Sequence, residues 1–138
     1  GVERLKTAYI YRELLDQNGW LPNGTDFPIE DIHPVKTFFA SVCRKNTAGV
    51  PANGFQTENA LTRVQAIRSM TIWAAKASFQ EHEMGSLEVG KAADFVVLDT
   101  DLMTCTDADI LEAKVLKTIL AGEVVFERDL KGPVSADK

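Results

Sequence analysis

Few side chains in this sequence are equipped to do chemistry, and the one whose setting stands out is Asp26. It lies in Gly19-Trp20-Leu21-Pro22-Asn23-Gly24-Thr25-Asp26-Phe27-Pro28-Ile29-Glu30, where a short apolar entry leads to a Gly-polar-Asp step and a proline follows two residues later. Glycine lets the backbone bend or be approached closely, and proline forbids a regular ladder or helix beyond it. A carboxylate is offered from a strand end in this way. Asn23, Gly24 and Asp26 are equally the residues of an ordinary turn that caps the next helix.

The remaining candidates are weaker. His33 precedes a proline at a helix start, and His82 sits in Glu81-His82-Glu83 ahead of a glycine turn. Both read as surface or capping histidines. Ser41 and Ser86 have no histidine at a motif spacing, so a nucleophilic serine is unsupported. Gly85 to Gly90 lacks the lysine-serine ending and the preceding strand of a phosphate loop. Cys43 and Cys105 are too few and too far apart for a disulfide framework or a cysteine-rich zinc site. Lys91 and Lys114 read as solvated charge beside strands.

The elements that must position Asp26 follow from periodicity. Leu5, Ala8, Tyr9, Tyr11 or Arg12, and Leu15 predict an amphipathic helix that stops near Asn18-Gly19. Trp20-Leu21 is a strand candidate cut short by Pro22. Asp31-Ile32-His33-Pro34 opens a second helix with the stripe Val35, Phe38, Phe39, Val42 and Cys43. Residues Lys45 to Asn59 form a long Asn-, Gly-, Thr- and Pro-rich loop. Thr62-Arg63-Val64-Gln65 is a capping box that starts a helix carrying Val64, Ile67, Met70, Thr71, Ala74, Ala75 and Phe79, with Met70 and Trp73 as packing residues. Ala92 to Asp99 is expected to be a buried strand bounded by aspartates, and Asp107 to Glu112 a short helix. Strands at 114–120 and 123–127 are joined by Ala121-Gly122, the length of a two-residue hairpin turn. Residues 131–138 look like a frayed tail.

With 138 residues, 45% hydrophobic and 25% charged, the chain is one globular unit able to bury on the order of two-thirds of its unfolded surface. A formal net charge of -5 and thinly spread lysine and arginine argue against nucleic-acid or anionic-membrane partners, and no apolar run approaches a bilayer span. The sequence opens without methionine or a signal-like segment and drops straight into a helical pattern, so it is expected to be cut from something longer.

In order and spacing, Gly24 to Pro28, Ala60 to Ala75, Gly85 to Asp99 and Val115 to Glu127 resemble the C-terminal end of the amidohydrolase superfamily. The branch is the amidohydrolase-3 type, which includes N-substituted formamide deformylases. The resemblance covers Arg4 to Glu127. It implies a metal-dependent hydrolase of non-peptide C–N bonds, built on a (β/α)8 barrel with a small β-sandwich assembled from both chain ends. It implies α+β architecture here: the last strand and helix units of the barrel over residues 1–84, the C-terminal sandwich segment over 85–130, and the tail 131–138. In that family the last barrel strand delivers an aspartate to the metal centre, and the matching position is Asp26. That role makes Asp26 both the catalytic and the metal-binding candidate. A metal lowers the pKa of its water from about 15.7 toward about 7, and a carboxylate in reach can take the proton and later give it to the leaving nitrogen.

The departures are as informative. The family's His-x-His pair, its mid-barrel carboxylate or modified lysine, and its later histidines are all missing. A catalytic zinc takes about three protein ligands, and a barrel needs around 200 to 250 residues. Zinc or another divalent metal is therefore expected in a longer parent with a small-molecule substrate, while this chain alone is expected to be inactive and to bind no metal tightly. Residues 20 to 30 are expected to be extended without strand partners or reused in self-association. The three-stranded sheet is expected to shelter under the Thr62 helix as the core, leaving a sheet edge suited to a homodimer. Besides the hydrolase segment, two readings stand: a non-catalytic remnant that binds a partner chain, and an α+β structural module that shares the fold alone. The Lys45 to Asn59 loop is expected to border the pocket mouth.

Overall fold

The computed structural model describes residues 1–129; the tail expected at 131–138 lies outside them. Six α-helices, one 3-10 turn and three strands follow in order: α1 (Val2–Leu5), α2 (Tyr11–Asn18), α3 (Pro34–Cys43), the 3-10 turn (Thr57–Asn59), α4 (Arg63–Met70), α5 (Ile72–Ala77), β1 (Phe95–Leu98), α6 (Asp107–Glu112), β2 (Val115–Leu120) and β3 (Glu123–Glu127). No helix among the described residues is long and apolar enough to cross a membrane.

The core is helical. Its centre is α3, which begins with Pro34 in the first turn, where a missing N–H costs nothing, and buries Val35, Phe38, Phe39 and Cys43 on one stripe. Leu15 of α2, Ala66 and Trp73 of α4 and α5, and Ile110 of α6 close around it, with Met70 packed alongside. Phe38 is 1% exposed, so truncating it would remove about 3–5 kcal/mol.

Two helices differ from the periodicity. The pattern from Leu5 to Leu15 is broken between Lys6 and Ile10, because Tyr9 takes a left-handed backbone (φ 59) and α2 starts only at Tyr11. Gly19 (φ 74) ends α2 as expected, its N–H donating to the Leu15 carbonyl at 2.7 Å. The second break is at Thr71 (φ -125, ψ -98), which divides the expected single helix into α4 and α5. Thr71 Oγ1 donates to the Ile67 carbonyl at 2.8 Å and Ser69 Oγ to the Ala66 carbonyl at 2.7 Å, back-bonding that bends helices. Gly85 seals the kink: a Cβ there would stand 2.7 Å from Ala75 Cβ and 2.9 Å from Ile72 Cα. The expected stripe is therefore not one face. Val64 and Phe79 are exposed, Phe79 lying past the helix end, whereas Ala66, Ser69, Trp73 and Ala75 are buried.

The sheet is antiparallel in the order β1-β2-β3. Ala121 (φ 50) and Gly122 (φ 83) both have positive φ, the signature of the two-residue primed turn. The aspartates that bound β1 anchor backbone: Asp94 accepts from Ala121 N at 2.7 Å and Asp99 from Lys114 N at 2.8 Å. The expectation of a buried β1 and of a sheet lying under the Thr62 helix is overturned. Phe95, Val96 and Val97 of β1 and Val124, Val125 and Phe126 of β3 are exposed. The reason lies in the connection, because the sheet reaches the core through the β1–β2 crossover. There Leu102, Ile110 and Ala113 pack against the helices, and among the described residues no helix covers a sheet face. Lys91 also departs from expectation: its side chain is 13% exposed, bonded to Ser86 Oγ at 2.7 Å and paired with Glu88 at 2.8 Å.

The capping box is formed in full, with Gln65 N donating to Thr62 Oγ1 at 3.2 Å and Thr62 N to Gln65 Oε1 at 2.9 Å. Thr62→Ala is expected to lower unfolding stability by about 1 kcal/mol in urea titration. Ala121→Asn, which places an Asn-Gly pair in the primed turn, should raise it by roughly 0.5–1 kcal/mol. A gain from the first substitution or a loss from the second would contradict these assignments. Burial pushes the Cys43 thiol from 9.0 to about 11, with Asp107 adding to the shift. A group that holds its proton more tightly when folded stabilises below its unfolded value, and the contribution fades as pH rises from 9.0 through about 11. The stability of the wild type should fall relative to Cys43→Ala across that window; parallel profiles would disprove the coupling.

Candidate functional site: the Asp26 loop and its groove

Residues 20–30 form no strand, contrary to the reading of Trp20-Leu21, and residues 26–29 are a turn rather than the extended chain expected. Pro22 has no N–H, and the donor that follows it is claimed by a helix: Asn23 N donates to the Ser69 carbonyl at 2.9 Å. The Asn23 side chain completes the anchor, giving an Nδ2 hydrogen to Ser41 Oγ at 2.8 Å and accepting from Gly24 N at 2.9 Å. Ser41 and Ser69 are both buried, so the irregular loop takes its hydrogen bonds from α3 and α4. Ser41 is a tether here, since its Oγ also donates to the Thr37 carbonyl at 2.7 Å.

Past this anchor, residues 26–29 turn, with Ile29 N donating to the Asp26 carbonyl at 2.8 Å. Asp26 stands at φ 53, a left-handed conformation that aspartate tolerates better than most residues. Its carboxylate is exposed and makes no hydrogen bond or ion pair with a described residue. It does not cap α3. Asp31 takes that neighbourhood, accepting from His33 N at 3.1 Å and pairing with Lys36. Lys36, with the His33 N–H, holds the Asp31 carboxyl below its ordinary value.

Asp26 lines a groove of about 780 Å³ between its own loop, α3 and the loop after α3. Lys45, Asn46, Val50 and Phe55 of the Lys45 to Asn59 loop form part of the wall. Asn46 shapes that loop, its Oδ1 accepting from Ala48 N at 3.0 Å and Val50 N at 2.9 Å. At the base stands Arg44, 8% exposed and left-handed (φ 54) at the end of α3. Its Nε donates to the Phe55 carbonyl at 2.9 Å and its Nη2 to the Tyr9 carbonyl at 3.1 Å. The guanidinium lies 5.3 Å from the Tyr11 ring centre and 5.7 Å from that of Phe55. Neither Asn23 nor Arg44 stands out in the sequence as a site residue: the first reads as a turn residue, and the partners of the second lie at Tyr9 and Phe55, beyond any local pattern.

His33 begins α3 on the exposed side, and His82 borders a second, separate groove beside Trp20 and Trp73; neither lines the Asp26 groove. Among the described residues no group of three or more His, Cys, Asp or Glu side chains could hold a metal ion. Asp26 taken singly does not make a metal site, which needs about three protein ligands. What the groove offers is two carboxylates without a described partner, Asp26 and Glu30, and one buried cation on a largely apolar wall.

The sequence matches the family described as "Amidohydrolase family" over residues 1–126. It is 34% identical over 131 residues to Protein LONG AFTER FAR-RED 3 of Arabidopsis thaliana, covering 91% of this chain and 21% of that protein. It is 33% identical over 126 residues to N-substituted formamide deformylase of Arthrobacter pascens, covering 91% and 22%. With the putative amidohydrolase YtcJ of Bacillus subtilis it shares 27% identity over 128 residues, 93% and 24% of the two. A solved amidohydrolase of Thermotoga maritima MSB8 aligns with TM-score 0.42 and 18% identity over 88% of this chain and 35% of that one. The chain thus spans between about a fifth and a quarter of the length of the curated relatives it matches. Matched from its first residue through β3, it belongs to the amidohydrolase family.

Proposed function

We propose that this chain is part of a metal-dependent hydrolase of non-peptide C–N bonds, of the amide or formamide type, and that Asp26 is its contribution to the metal centre. The observation that carries the reading is the state of Asp26: an exposed carboxylate with no partner, in a left-handed turn on a groove wall, behind a loop fixed to two helices by Asn23. Anchored backbone with a free functional group is the arrangement that positions an acid or base without occupying it. A divalent metal, zinc being the first choice, would supply an activated water. The chain's own part is to hold a carboxylate oxygen where a proton can be taken up and returned. The name of the Arthrobacter pascens relative supports a formamide-type substrate.

In this reading residues 1–84 are the last units of a (β/α)8 barrel, and 85–130 are the C-terminal segment of a β-sandwich. The open apolar faces of β1 and β3 fit that reading, since a sandwich covers such faces with a second sheet. The remaining metal ligands would lie elsewhere in the whole protein, which makes this chain inactive in isolation. The same open faces and the unpaired edges of β1 and β3 also favour a second reading, a non-catalytic module that assembles with a partner or a second copy.

Asp26→Asn in the whole protein separates the two. The hydrolase reading expects hydrolysis of an N-substituted formamide to fall by about 10²–10⁴-fold, metal content to drop, and thermal stability to stay within roughly 0.5 kcal/mol. Unchanged turnover and metal content would remove Asp26 from the chemistry and favour assembly.

A further inference from the structure

We infer that the groove beside Asp26 is a carboxylate-binding site, with the Arg44 guanidinium as its receptor. Extended to the hydrolase, a step that rests on the function proposed above, this means that the substrate carries a carboxylate away from the bond that is cleaved.

The argument starts from the charge. Arg44 is 92% withdrawn from solvent by its 8% exposure, yet no described carboxylate pairs with it. Two backbone carbonyls and two ring faces attract the cation without neutralising it. A guanidinium has five N–H groups in a planar fork. Two are used, on Nε and Nη2, leaving both hydrogens of Nη1 and one of Nη2 without an acceptor among the described residues. Buried charges are retained where they are paired or where they bind something.

The geometry selects the ligand. The Phe55 carbonyl holds Nε and the Tyr9 carbonyl holds one Nη2 hydrogen, so the fork is fixed before anything binds. Two hydrogens on Nη1 and one on Nη2 remain for the oxygens of a carboxylate, the group whose planar pair of acceptors a guanidinium matches. Arg44 lines the groove, and the neighbouring Tyr11, Phe39, Val50 and Phe55 give the rest of such a ligand an apolar wall. Lys45 adds a second positive charge to that wall, Lys36 is occupied by Asp31, and the groove's negative charges without a described partner are Asp26 and Glu30 on the opposite loop. Asp26 lies in the same groove, so a ligand held by its carboxylate on Arg44 would have its other end in the space the Asp26 loop borders.

Benzoate and benzamide share a shape and differ in charge, which makes them the probes. Each is titrated into the metal-free protein while backbone amide and arginine Nε–H resonances are followed by NMR. Benzoate is expected to bind saturably with Kd of about 1–10 mM, shifting the Arg44 Nε–H and the amides of Tyr11 and Phe55, with benzamide at least tenfold weaker. Arg44→Lys, which keeps the charge and loses the fork, is expected to weaken benzoate at least tenfold. Should that variant fail to fold, the Arg44 Nε–H response of the wild type decides alone. Equal binding of the two probes, no saturable response, or shifts that leave Arg44 Nε–H unmoved would overturn the assignment. The readout uses neither metal nor turnover. Benzoate binding with an Asp26→Asn enzyme of unchanged activity would retain the Arg44 site and discard the hydrolase; loss of the Arg44 response with an inactive Asp26→Asn would do the reverse.

Discussion

The fold of the helical half depends on a single buried cation. Arg44 stands where α3 ends, its own N–H closing the last turn on the Ala40 carbonyl at 3.0 Å and its carbonyl accepting from Phe55 N at 2.8 Å. From there the side chain reaches both to the Phe55 carbonyl and to that of Tyr9, thirty-five positions earlier in the chain. Two segments without regular structure of their own, the turn at Tyr9 and the loop at Phe55, meet on one guanidinium. Without it, the carbonyls of Tyr9 and Phe55 would each lose a side-chain partner. The break between α1 and α2, which periodicity does not foresee, lies at the residue this contact holds.

Asp26 is held by the complementary device. Where Arg44 is a side chain that binds backbone, Asn23 is bound at its backbone and side chain together by Ser69 and Ser41, and the residues beyond it are left free. The loop needs no strand neighbour because two helices supply its hydrogen bonds. The anchor to the helices lies three residues before the carboxylate, and beyond it the turn closes on its own backbone, which leaves the Asp26 oxygens unclaimed. Groove, cation and carboxylate are joined through α3, which carries Ser41 on one side and Arg44 at its end.

The two halves of the chain reach stability differently. The helices satisfy one another around Phe38, whereas the sheet satisfies its backbone and leaves the apolar side chains of β3 and most of β1 open, with Ile119 of β2 buried. Cross-strand contacts such as Lys117 to Glu127 at 2.8 Å, and the aspartates at both ends of β1, complete the hydrogen bonding without creating an interior. A three-stranded sheet in this state depends on the crossover helix α6, and there Arg63 ties the start of α4 to Asp107 at 2.9 Å and to the Leu102 carbonyl at 2.6 Å. That contact couples the sheet to the helical core.

Much of this was legible in the sequence wherever the cause was local. Pro34 at the head of α3, the Thr62–Gln65 box, Gly19 at the end of α2 and the Ala121-Gly122 turn each act within a few residues, and each element appears where those residues put it. The α3 stripe is likewise a matter of spacing on one helix, and the family could be read from four stretches in order. Asp26 was visible as a type of residue in a type of loop. Its freedom from partners was not visible, because that depends on Lys36 taking Asp31 and on α3 and α4 taking Asn23. The kink at Thr71, the exposure of β1 and the burial of Arg44 were decided only by the tertiary structure. In each case the deciding partner lies far away in the chain: Gly85 against α5, a crossover that packs without covering the sheet, and Tyr9 and Phe55 around a guanidinium. Local sequence fixes which conformations are cheap, and long-range packing selects which of them hold a charge or leave one free.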